Sequence, residues 1–293
     1  MLEVDGNKLE DILWPNEVAV IGGGRWARVI VGQLHNIVPE TTAINIHTSR
    51  NVLGMSKWVD EQRYKNVRIA DDFLRFGVSK TLVMIVANAA RDHEMAIDAG
   101  FNAGASVLVE KPLTLSARSA CRLSDLANNR NLYFTSAHVF MFAHYIAQFA
   151  KKVASLGLIE HIQVIWCDQK VEKRYGENKT YDPSLPIYAD CLPHVLSILE
   201  TLAPGLPLEF VCLTLYRGGS HLELQMKLGT ISCSVRFERN SDRRQRIIEV
   251  RSAGQKFCNN FTQEPGHVFY GEMKEKIKMD WGSGPRPLAS QLI

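Results

Sequence analysis

The sequence lacks any long hydrophobic run. Nowhere do about 18 apolar residues follow one another, which is the length that a membrane-spanning helix requires. The N-terminus, MLEVDGNKLEDILWPNE, carries acidic residues and no continuous apolar segment of the kind found in signal peptides. We therefore predict a cytoplasmic protein without a membrane partner.

The sequence also lacks the cysteine spacings that are typical of metal sites. Six cysteines are spread along 293 residues without any C-x-x-C pair, and a chain of this size does not need disulfides to fold. We predict no metal site and reduced core thiols at Cys121, Cys167, Cys191, Cys212, Cys233 and Cys258.

No stretch of the chain is strongly charged with one sign. The 34 Lys and Arg are scattered among 31 Asp and Glu, which gives a net charge of +3 without a basic stripe. This distribution argues against a nucleic-acid partner, because such proteins gather their positive charge on one face. A mildly basic chain does suit a phosphorylated small molecule.

Length and pattern predict two domains. A chain of 293 residues exceeds the roughly 150 residues of a typical domain. In the first half, short apolar strands alternate with helical spacing, which predicts a doubly wound parallel sheet over residues 1–137. The predicted strands are at 17–22, 43–47, 67–70, 81–87, 105–110 and 132–137.

The second half has a different pattern. After a helix near 143–155, strands follow one another across short turns, which predicts an α+β domain with a mostly antiparallel sheet over residues 138–293. The predicted strands are at 161–169, 209–217, 221–228, 230–238 and 243–252. Within them, the basic stretch RFERNSDRRQR (236–246) is interpreted as the solvated end of a hairpin, with a contact to a substrate phosphate as the alternative.

A glycine-rich turn follows the first strand. In VAVIGGGRWARVI, Gly22, Gly24 and Ala27 have the spacing G-x-G-x-x-A between a strand and a helix. One glycine forms the tight turn, the next lets the backbone approach a pyrophosphate, and the small third residue lets the helix pack on the strand. The unpaired N–H groups at the helix start favour phosphate. The turn predicts dinucleotide binding, although such turns can also serve packing alone.

The end of the second strand bears on the choice of cofactor. The sequence there is IHTSRN, with no carboxylate to accept the ribose 2′-hydroxyl of NAD. Thr48, Ser49 and Arg50 instead suit the 2′-phosphate of NADP, so we predict NADP, with NAD as the alternative. An exposed loop arginine is the simpler interpretation of Arg50.

Two more segments follow strands of the first domain. ANAARDHEMA places Asn88 just past the fourth strand, where ligands of open α/β sheets bind, and His93 at the start of the next helix. We expect Asn88 to contact the cofactor, whereas His93 serves equally well as a hydrogen-bonding residue at a helix start. VEKPL, after the fifth strand, places Lys111 between Glu110 and Pro112.

The combination of GGGRWA, NAARDH and VEKPL, with PIYADCLPHVLSIL further on, resembles the Gfo/Idh/MocA family of oxidoreductases. The last segment is similar to the D-x-x-x-H motif of that family. The resemblance implies nicotinamide-dependent hydride transfer at the junction of a Rossmann domain and an open-faced sheet domain. It also implies a homo-dimer or tetramer formed through the open sheet.

The resemblance also suggests site residues. Lys111 matches the lysine beside the nicotinamide, Pro112 a cis peptide, Asp190 an orienting carboxylate and His194 the proton-transfer residue. A histidine suits proton transfer near neutral pH, and a residue four positions earlier on a helix shares its face. Pro193 is expected in the first helical turn, and without the family motif Asp190 and His194 would be an N-cap and a core histidine. The expected cofactor contacts are Gly22, Gly24, Arg25, Trp26, Ala27, Thr48, Ser49, Arg50, Asn88, Glu110 and Lys111.

The second-domain motif departs from the sugar-acting members. Leu192 stands where many carry a glycine, and Ser197 where some carry an acid. A less polar lining weakens the case for a simple sugar. The expected function is an NADP-dependent oxidoreductase acting on a small hydroxy or carbonyl compound, with sugar derivatives as the default. The alternatives are imine reduction in a biosynthetic pathway and a non-catalytic dinucleotide sensor or partner subunit.

Overall fold

The computed structural model describes residues 3–4, 7–8, 13–70, 83–174, 177–178, 182, 184–271 and 275–293. Two compact units divide the chain, Met1–Ala137 with Leu288–Ile293, and His138–Pro287. No helix in the described ranges is long and apolar enough to cross a membrane.

The first unit is built on six parallel strands. They are β1 (Glu17–Ile21), β2 (Ala43–His47), β3 (Val67–Ala70), β4 (Val83–Val86), β5 (Ser106–Val109) and β6 (Phe134–Ser136), with α1 (Arg25–Ile37), α2 (Val52–Gln62), α3 (His93–Asn102) and α4 (Ala117–Asn129) between them. The strand order is β3-β2-β1-β4-β5-β6, with every neighbouring pair parallel. This is the order of the Rossmann fold, so the predicted doubly wound sheet is confirmed.

Two apolar layers cover the parallel sheet. The predicted stripe of α1 is confirmed, because Ala27, Ile30, Val31 and Leu34 are at most 2% exposed and pack against β1 and β2. Residues of α3 and α4, among them Phe101 and Leu123, cover the opposite face. The layers leave the carboxyl ends of the strands to the loops that carry the predicted motifs.

The second unit is built on a sheet of eight strands. Helices α5 (His144–Ala154) and α6 (Ile187–Leu202) accompany β7 (Ile159–Gln169), β8 (Leu208–Tyr216), β9 (His221–Leu228), β10 (Ile231–Ser241), β11 (Gln245–Ser252), β12 (Gln255–Asn260), β13 (His267–Tyr270) and β14 (Glu275–Lys278). The order is β8-β9-β10-β7-β11-β12-β13-β14, and β10 with β7 is the parallel pair. The predicted mostly antiparallel sheet is confirmed, and β12 to β14 were not predicted.

The core of the second unit is formed by α5, α6 and one face of this sheet. Phe149 and Val153 of α5, Val195 and Ile198 of α6 and Phe237 of β10 are fully buried together. The last helix, α7 (Pro287–Leu292), belongs to the first unit, where Ala289 packs with the α1 layer.

Candidate active site

The glycine-rich turn lies between β1 and α1, at the carboxyl edge of the parallel sheet. Gly22 has φ +145°, and its N–H donates to the His47 carbonyl at 2.9 Å. A Cβ on Gly22 would lie 2.7 Å from the Ala87 carbonyl oxygen, so no larger residue fits. Gly22 therefore lets β1 and the end of β4 approach each other.

Gly24 has a different environment. It is the N-cap of α1, and a Cβ there would have no atom within 4 Å. No side chain caps this helix, and its first turn holds no acid. Gly24 therefore leaves open space at the start of α1, where the helix dipole is favourable for an anion. This open N-terminus fits a dinucleotide pyrophosphate.

The loop after β2 carries the predicted phosphate corner. Thr48 is buried against the glycine turn, since a Cβ on Gly23 would lie 2.9 Å from its Cβ. Ser49 and Arg50 are exposed, and Arg50 Nη2 lies 3.7 Å from Asp92 Oδ2. Asn51, which the sequence did not single out, donates from Nδ2 to the Gly23 carbonyl at 2.7 Å and ties the loop to the turn.

His93 holds two of the predicted loops together. Its side chain is 1% exposed, with Nδ1 2.8 Å from the Pro112 carbonyl oxygen and Nε2 3.3 Å from the Asn88 carbonyl oxygen. Burial lowers the pKa of this imidazole, which the hydrogen bonds to those carbonyls partly offset. His93 thus links the end of β4 to the segment after β5.

Glu110, Lys111 and Pro112 follow β5. The Lys111–Pro112 peptide is cis, which confirms the expectation from the resemblance. Burial raises the pKa of the Glu110 carboxyl, while a hydrogen bond from the Trp26 side chain and the charge of Lys111 lower it. Because Trp26 is in the first turn of α1, directly after the glycine turn, this contact joins the start of α1 to the segment after β5. Lys111 itself is half-buried.

Helix α6 carries the second predicted motif. The helix begins at Ile187 with Pro186 as its N-cap, so Asp190 is in the first turn and is not the N-cap. The expectation for Pro193 was wrong, because it is the seventh residue of the helix and lies in its interior. Since proline has no N–H, the Ala189 carbonyl four residues earlier has no backbone donor from it.

Asp190 is paired with a strand residue. Arg239 of β10 donates from Nη2 to Asp190 Oδ2 at 2.9 Å and from Nη1 to the Leu185 carbonyl at 2.8 Å. Both side chains are less than one-fifth exposed. The sequence did not single out Arg239, because the two residues are 49 positions apart. This ion pair fixes the first turn of α6 on the sheet.

His194 lies against aromatic rings of the same unit. Its ring is stacked on Trp166 of β7, with centroids 5.3 Å apart and planes at 19°, and Phe140 meets it edge-on at 5.2 Å. Ser197 donates to the His194 carbonyl at 2.8 Å and is buried. These contacts fix the plane of the imidazole and leave the Ser197 hydroxyl engaged with the backbone.

A buried arginine lies beside the stacked rings of Trp166 and His194. Arg246 of β11 has its Cζ 3.9 Å from the centre of the Trp166 ring, donates to the Cys167 carbonyl at 2.6 Å and pairs with Asp168. Arg246 and Asp168 are at most 2% exposed. The interpretation of residues 236–246 as a solvated hairpin end was therefore wrong for Arg246 and for the paired Arg239.

Comparison with known proteins supports this organisation. Residues 16–138 match the model of the Gfo/Idh/MocA oxidoreductase family, described by its NAD-binding Rossmann fold. Biliverdin reductase A from Homo sapiens is 27% identical over 161 residues, which are 54% of this chain and 52% of that protein. The match spans about half the length of this curated relative.

Solved structures share the whole fold. UDP-N-acetylglucosamine 3-dehydrogenase from Acidithiobacillus ferrooxidans has a TM-score of 0.73 at 17% identity, covering 94% of this chain and 86% of that one. A variant of a 3-ketoreductase from Actinomadura kijaniata, in complex with TDP-benzene and NADP, has a TM-score of 0.74 at 20% identity, covering 95% and 87%. By the match and the fold together, residues 16–138 are similar to the NAD-binding Rossmann unit of the Gfo/Idh/MocA oxidoreductase family.

Proposed function

We propose that this chain is an NADP-dependent oxidoreductase that moves hydride between the nicotinamide and a hydroxyl or carbonyl carbon of a small molecule. The observation that carries the proposal is the meeting of three loops at one edge of the parallel sheet. Gly22 lies against Ala87, and the Trp26 side chain is close enough to Glu110 to lower the pKa of its carboxyl, directly before the cis Lys111–Pro112 peptide. The bound nicotinamide would supply or accept the hydride.

The chain's own residues fit the dinucleotide in the first unit. The open N-terminus of α1 at Gly24 suits the pyrophosphate, because its first N–H groups have no side-chain cap. Ala27 is fully buried, which brings α1 close to the sheet. Asn88 and Lys111 follow the ends of β4 and β5, the edge at which open α/β sheets bind ligands.

The preference for NADP rests on the loop after β2. Arg50 and Arg91 approach the one carboxylate of Asp92, at 3.7 and 4.0 Å, so the three side chains carry a net positive charge. Arg50 is 71% exposed on its side chain and can exchange this distant ion pair for a charge-assisted hydrogen bond to a 2′-phosphate. No carboxylate occupies residues 47–51 to accept a ribose hydroxyl.

We assign proton transfer to His194 and stabilisation of the reacting oxygen to Lys111. An imidazole can give or take a proton near neutral pH, and a lysine ammonium stabilises the negative charge that develops on an alkoxide. Asp190 is four residues before His194 on α6, and its pair with Arg239 holds that turn in place. The role of Asp190 is to orient the imidazole.

The substrate class is argued from the relatives. One is a UDP-N-acetylglucosamine 3-dehydrogenase, one a 3-ketoreductase and one a biliverdin reductase, so all three names describe oxidation or reduction of a small organic molecule. We propose a carbonyl compound or its alcohol as the substrate, with sugar derivatives as the default class.

The test measures turnover on a panel of substrates, through the change in nicotinamide absorbance. The panel pairs NADP with UDP-N-acetylglucosamine and other nucleotide sugars, and NADPH with biliverdin and simple ketones. On any substrate that reacts, we expect Lys111→Ala and His194→Ala each to lower kcat by at least 100-fold, the lower end of what general acid–base catalysis contributes. NADPH binding should persist in both variants. Full activity of either variant would refute its role, and failure of the wild-type protein to bind NADPH would refute the function.

A further inference from the structure

Strand β8 is an edge strand with an unusual surface. It pairs with β9 and with no other described strand, and all nine residues from Leu208 to Tyr216 are exposed. The sequence LEFVCLTLY contains a single charged residue. An edge of this kind presents free backbone N–H and C=O groups beside apolar side chains.

The apolar side chains of β8 continue the core face of the sheet. Residues opposite one another across a ladder share a face, and the partners of Leu208, Phe210, Leu213 and Leu215 on β9 are at most 4% exposed. The four β8 residues themselves are 38–62% exposed. Helix α6 packs over β9 and β10, so the helical layer stops short of the edge.

The other face of the same sheet is polar. Glu223, Gln225 and Lys227 of β9 are exposed there, and Ser232 of β10 and Arg251 of β11 continue the polar surface. The resemblance led us to expect association through this open face. The exposed apolar surface of the second unit is concentrated at the β8 edge instead.

The edge has few of the features that keep strands apart. Natural edge strands carry lysines, prolines or inward charges that oppose pairing with another chain. Here Glu209 is the one charge, and Lys227 lies 3.8 Å from its carboxylate, so two copies would not repel each other at this strand. The one irregularity is a bulge between Phe210 and Cys212.

We propose that β8 is the contact through which a second copy of this chain pairs, antiparallel and about a two-fold axis beside the bulge. The bulge shifts the alternation of the strand, so Leu208 and Phe210 share the core face with Leu213 and Leu215. Antiparallel pairing at this point sets Leu208 opposite Leu215 and Phe210 opposite Leu213 of the other copy. The two apolar stripes then lie side by side on one face and shield each other laterally, which makes the edge complementary to itself.

The molar mass in solution tests this contact. We expect the full chain to sediment as a dimer at micromolar concentration, and Phe210→Lys combined with Leu213→Lys to sediment as a monomer with an unchanged far-UV spectrum. The matched control Gln225→Lys adds a charge to the polar face and should remain a dimer. A wild-type monomer, a dimer that survives the double substitution, or a dimer that Gln225→Lys dissociates would each overturn the proposal.

A cross-link tests the position of the axis. Cys121 and Cys212 are exposed, so the prediction of core thiols was wrong for these two. Cys212 lies beside the bulge, so two copies would bring their Cys212 residues within disulfide reach. Mild oxidation should give a covalent dimer that Cys212→Ser abolishes. Cys121 is also exposed but lies on α4, and Cys121→Ser should leave the cross-link intact. A cross-link that depends on Cys121 and not on Cys212 would contradict this pairing.

Discussion

At the residue scale, the loop after β2 gives the most specific prediction. Replacing Arg50 by Ala removes the exposed cation that we assign to the 2′-phosphate. We expect the Kd for NADPH to rise about tenfold, which is about 1.4 kcal/mol, while the Kd for NADH stays unchanged. Calorimetric titration measures both constants.

A substitution of Asp92 is expected to have the opposite effect on NADPH affinity. Asp92→Asn removes the carboxylate that Arg50 approaches at 3.7 Å, so NADPH should bind more tightly than to the wild-type protein. Equal losses of NADPH and NADH affinity in Arg50→Ala, or weaker NADPH binding in Asp92→Asn, would show that Arg50 does not bind the 2′-phosphate.

Glu110 is expected to make stability depend on pH. Burial raises the pKa of its carboxyl above the ordinary value of 4.5, so the folded state holds this proton longer than the unfolded state. The contribution to stability is complete below pH 4.5 and is lost as the pH rises through the folded pKa. Glu110→Gln should therefore gain free energy of unfolding, relative to the wild-type protein, as the pH rises from 4 to 7.

Urea unfolding at several pH values measures this difference. Trp26→Phe offers a comparison, because loss of the indole N–H removes a hydrogen bond that lowers the Glu110 pKa and should move the transition to higher pH. A difference between Glu110→Gln and the wild-type protein that is constant with pH, or that shrinks as the pH rises, is incompatible with a raised pKa.

Single residues also show which local features could be predicted from the sequence and which could not. The cis Lys111–Pro112 peptide was predictable, because a short contiguous motif carries it. The pairs Arg239 with Asp190 and Arg246 with Asp168 were not, since their members are 49 and 78 positions apart. Arginines near a hairpin look solvated in the sequence, and only the fold shows that Arg246 pairs with a buried carboxylate and Arg239 with a largely buried one.

At the scale of elements, two glycines of the turn between β1 and α1 are expected to differ in function. Gly22 serves packing, and Gly24 serves binding. Gly22→Ala would place a Cβ 2.7 Å from the Ala87 carbonyl oxygen at a φ that alanine rarely adopts, so it should destabilise the unit by about 1–3 kcal/mol. Gly24→Ala meets no atom within 4 Å and should keep the stability of the wild-type protein. Its methyl group would instead occupy the space in which we place the pyrophosphate, so NADPH affinity should fall.

Thermal unfolding and NADPH titration of the two variants check this pair. We expect Gly24→Ala to lose affinity for NADPH and to keep the thermal stability of the wild-type protein. Unchanged NADPH affinity in Gly24→Ala would move the pyrophosphate away from the start of α1.

The contact between β7 and α6 predicts an effect on His194. Trp166→Phe reduces the area of the ring on which the imidazole stacks. It also weakens the interaction with Arg246, because indole is the best aromatic partner of a cation. Aromatic pairs contribute about 0.5–1.5 kcal/mol, so kcat should fall by up to about tenfold. Steady-state kinetics should show this loss in kcat with an unchanged Kd for NADPH. A variant that folds and keeps the wild-type kcat would mean that the stack does not position His194.

Periodicity predicted most elements but not all. Strand β9 has the predicted bounds, His221–Leu228, because apolar and polar residues alternate strictly along it. Strands β12 to β14 were missed, since short segments such as QKFCNN do not alternate. For α6, the motif predicted the shared face of Asp190 and His194, whereas the start at Ile187 depended on Pro186 and placed Pro193 in the interior.

At the scale of the whole molecule, alternation of strands and helices was enough to predict the class of each sheet. The order β3-β2-β1-β4-β5-β6 did not follow from that alternation, because other strand orders are also compatible with a doubly wound sheet. The parallel pair β10 with β7 inside a mostly antiparallel sheet did not follow from the sequence, because the two strands are separated by α6, β8 and β9. Nor did the return of residues 288–293 to the first unit.

We propose that the first unit binds NADP in preference to NAD, with the pyrophosphate at the start of α1, the helix that contains Trp26. A titration of intrinsic tryptophan fluorescence with NADPH and with NADH, on the wild-type protein and on Trp26→Phe, tests this preference. We expect a Kd for NADPH at least tenfold below that for NADH, with a smaller fluorescence change in Trp26→Phe. Tighter binding of NADH, or no binding of either dinucleotide, would contradict it.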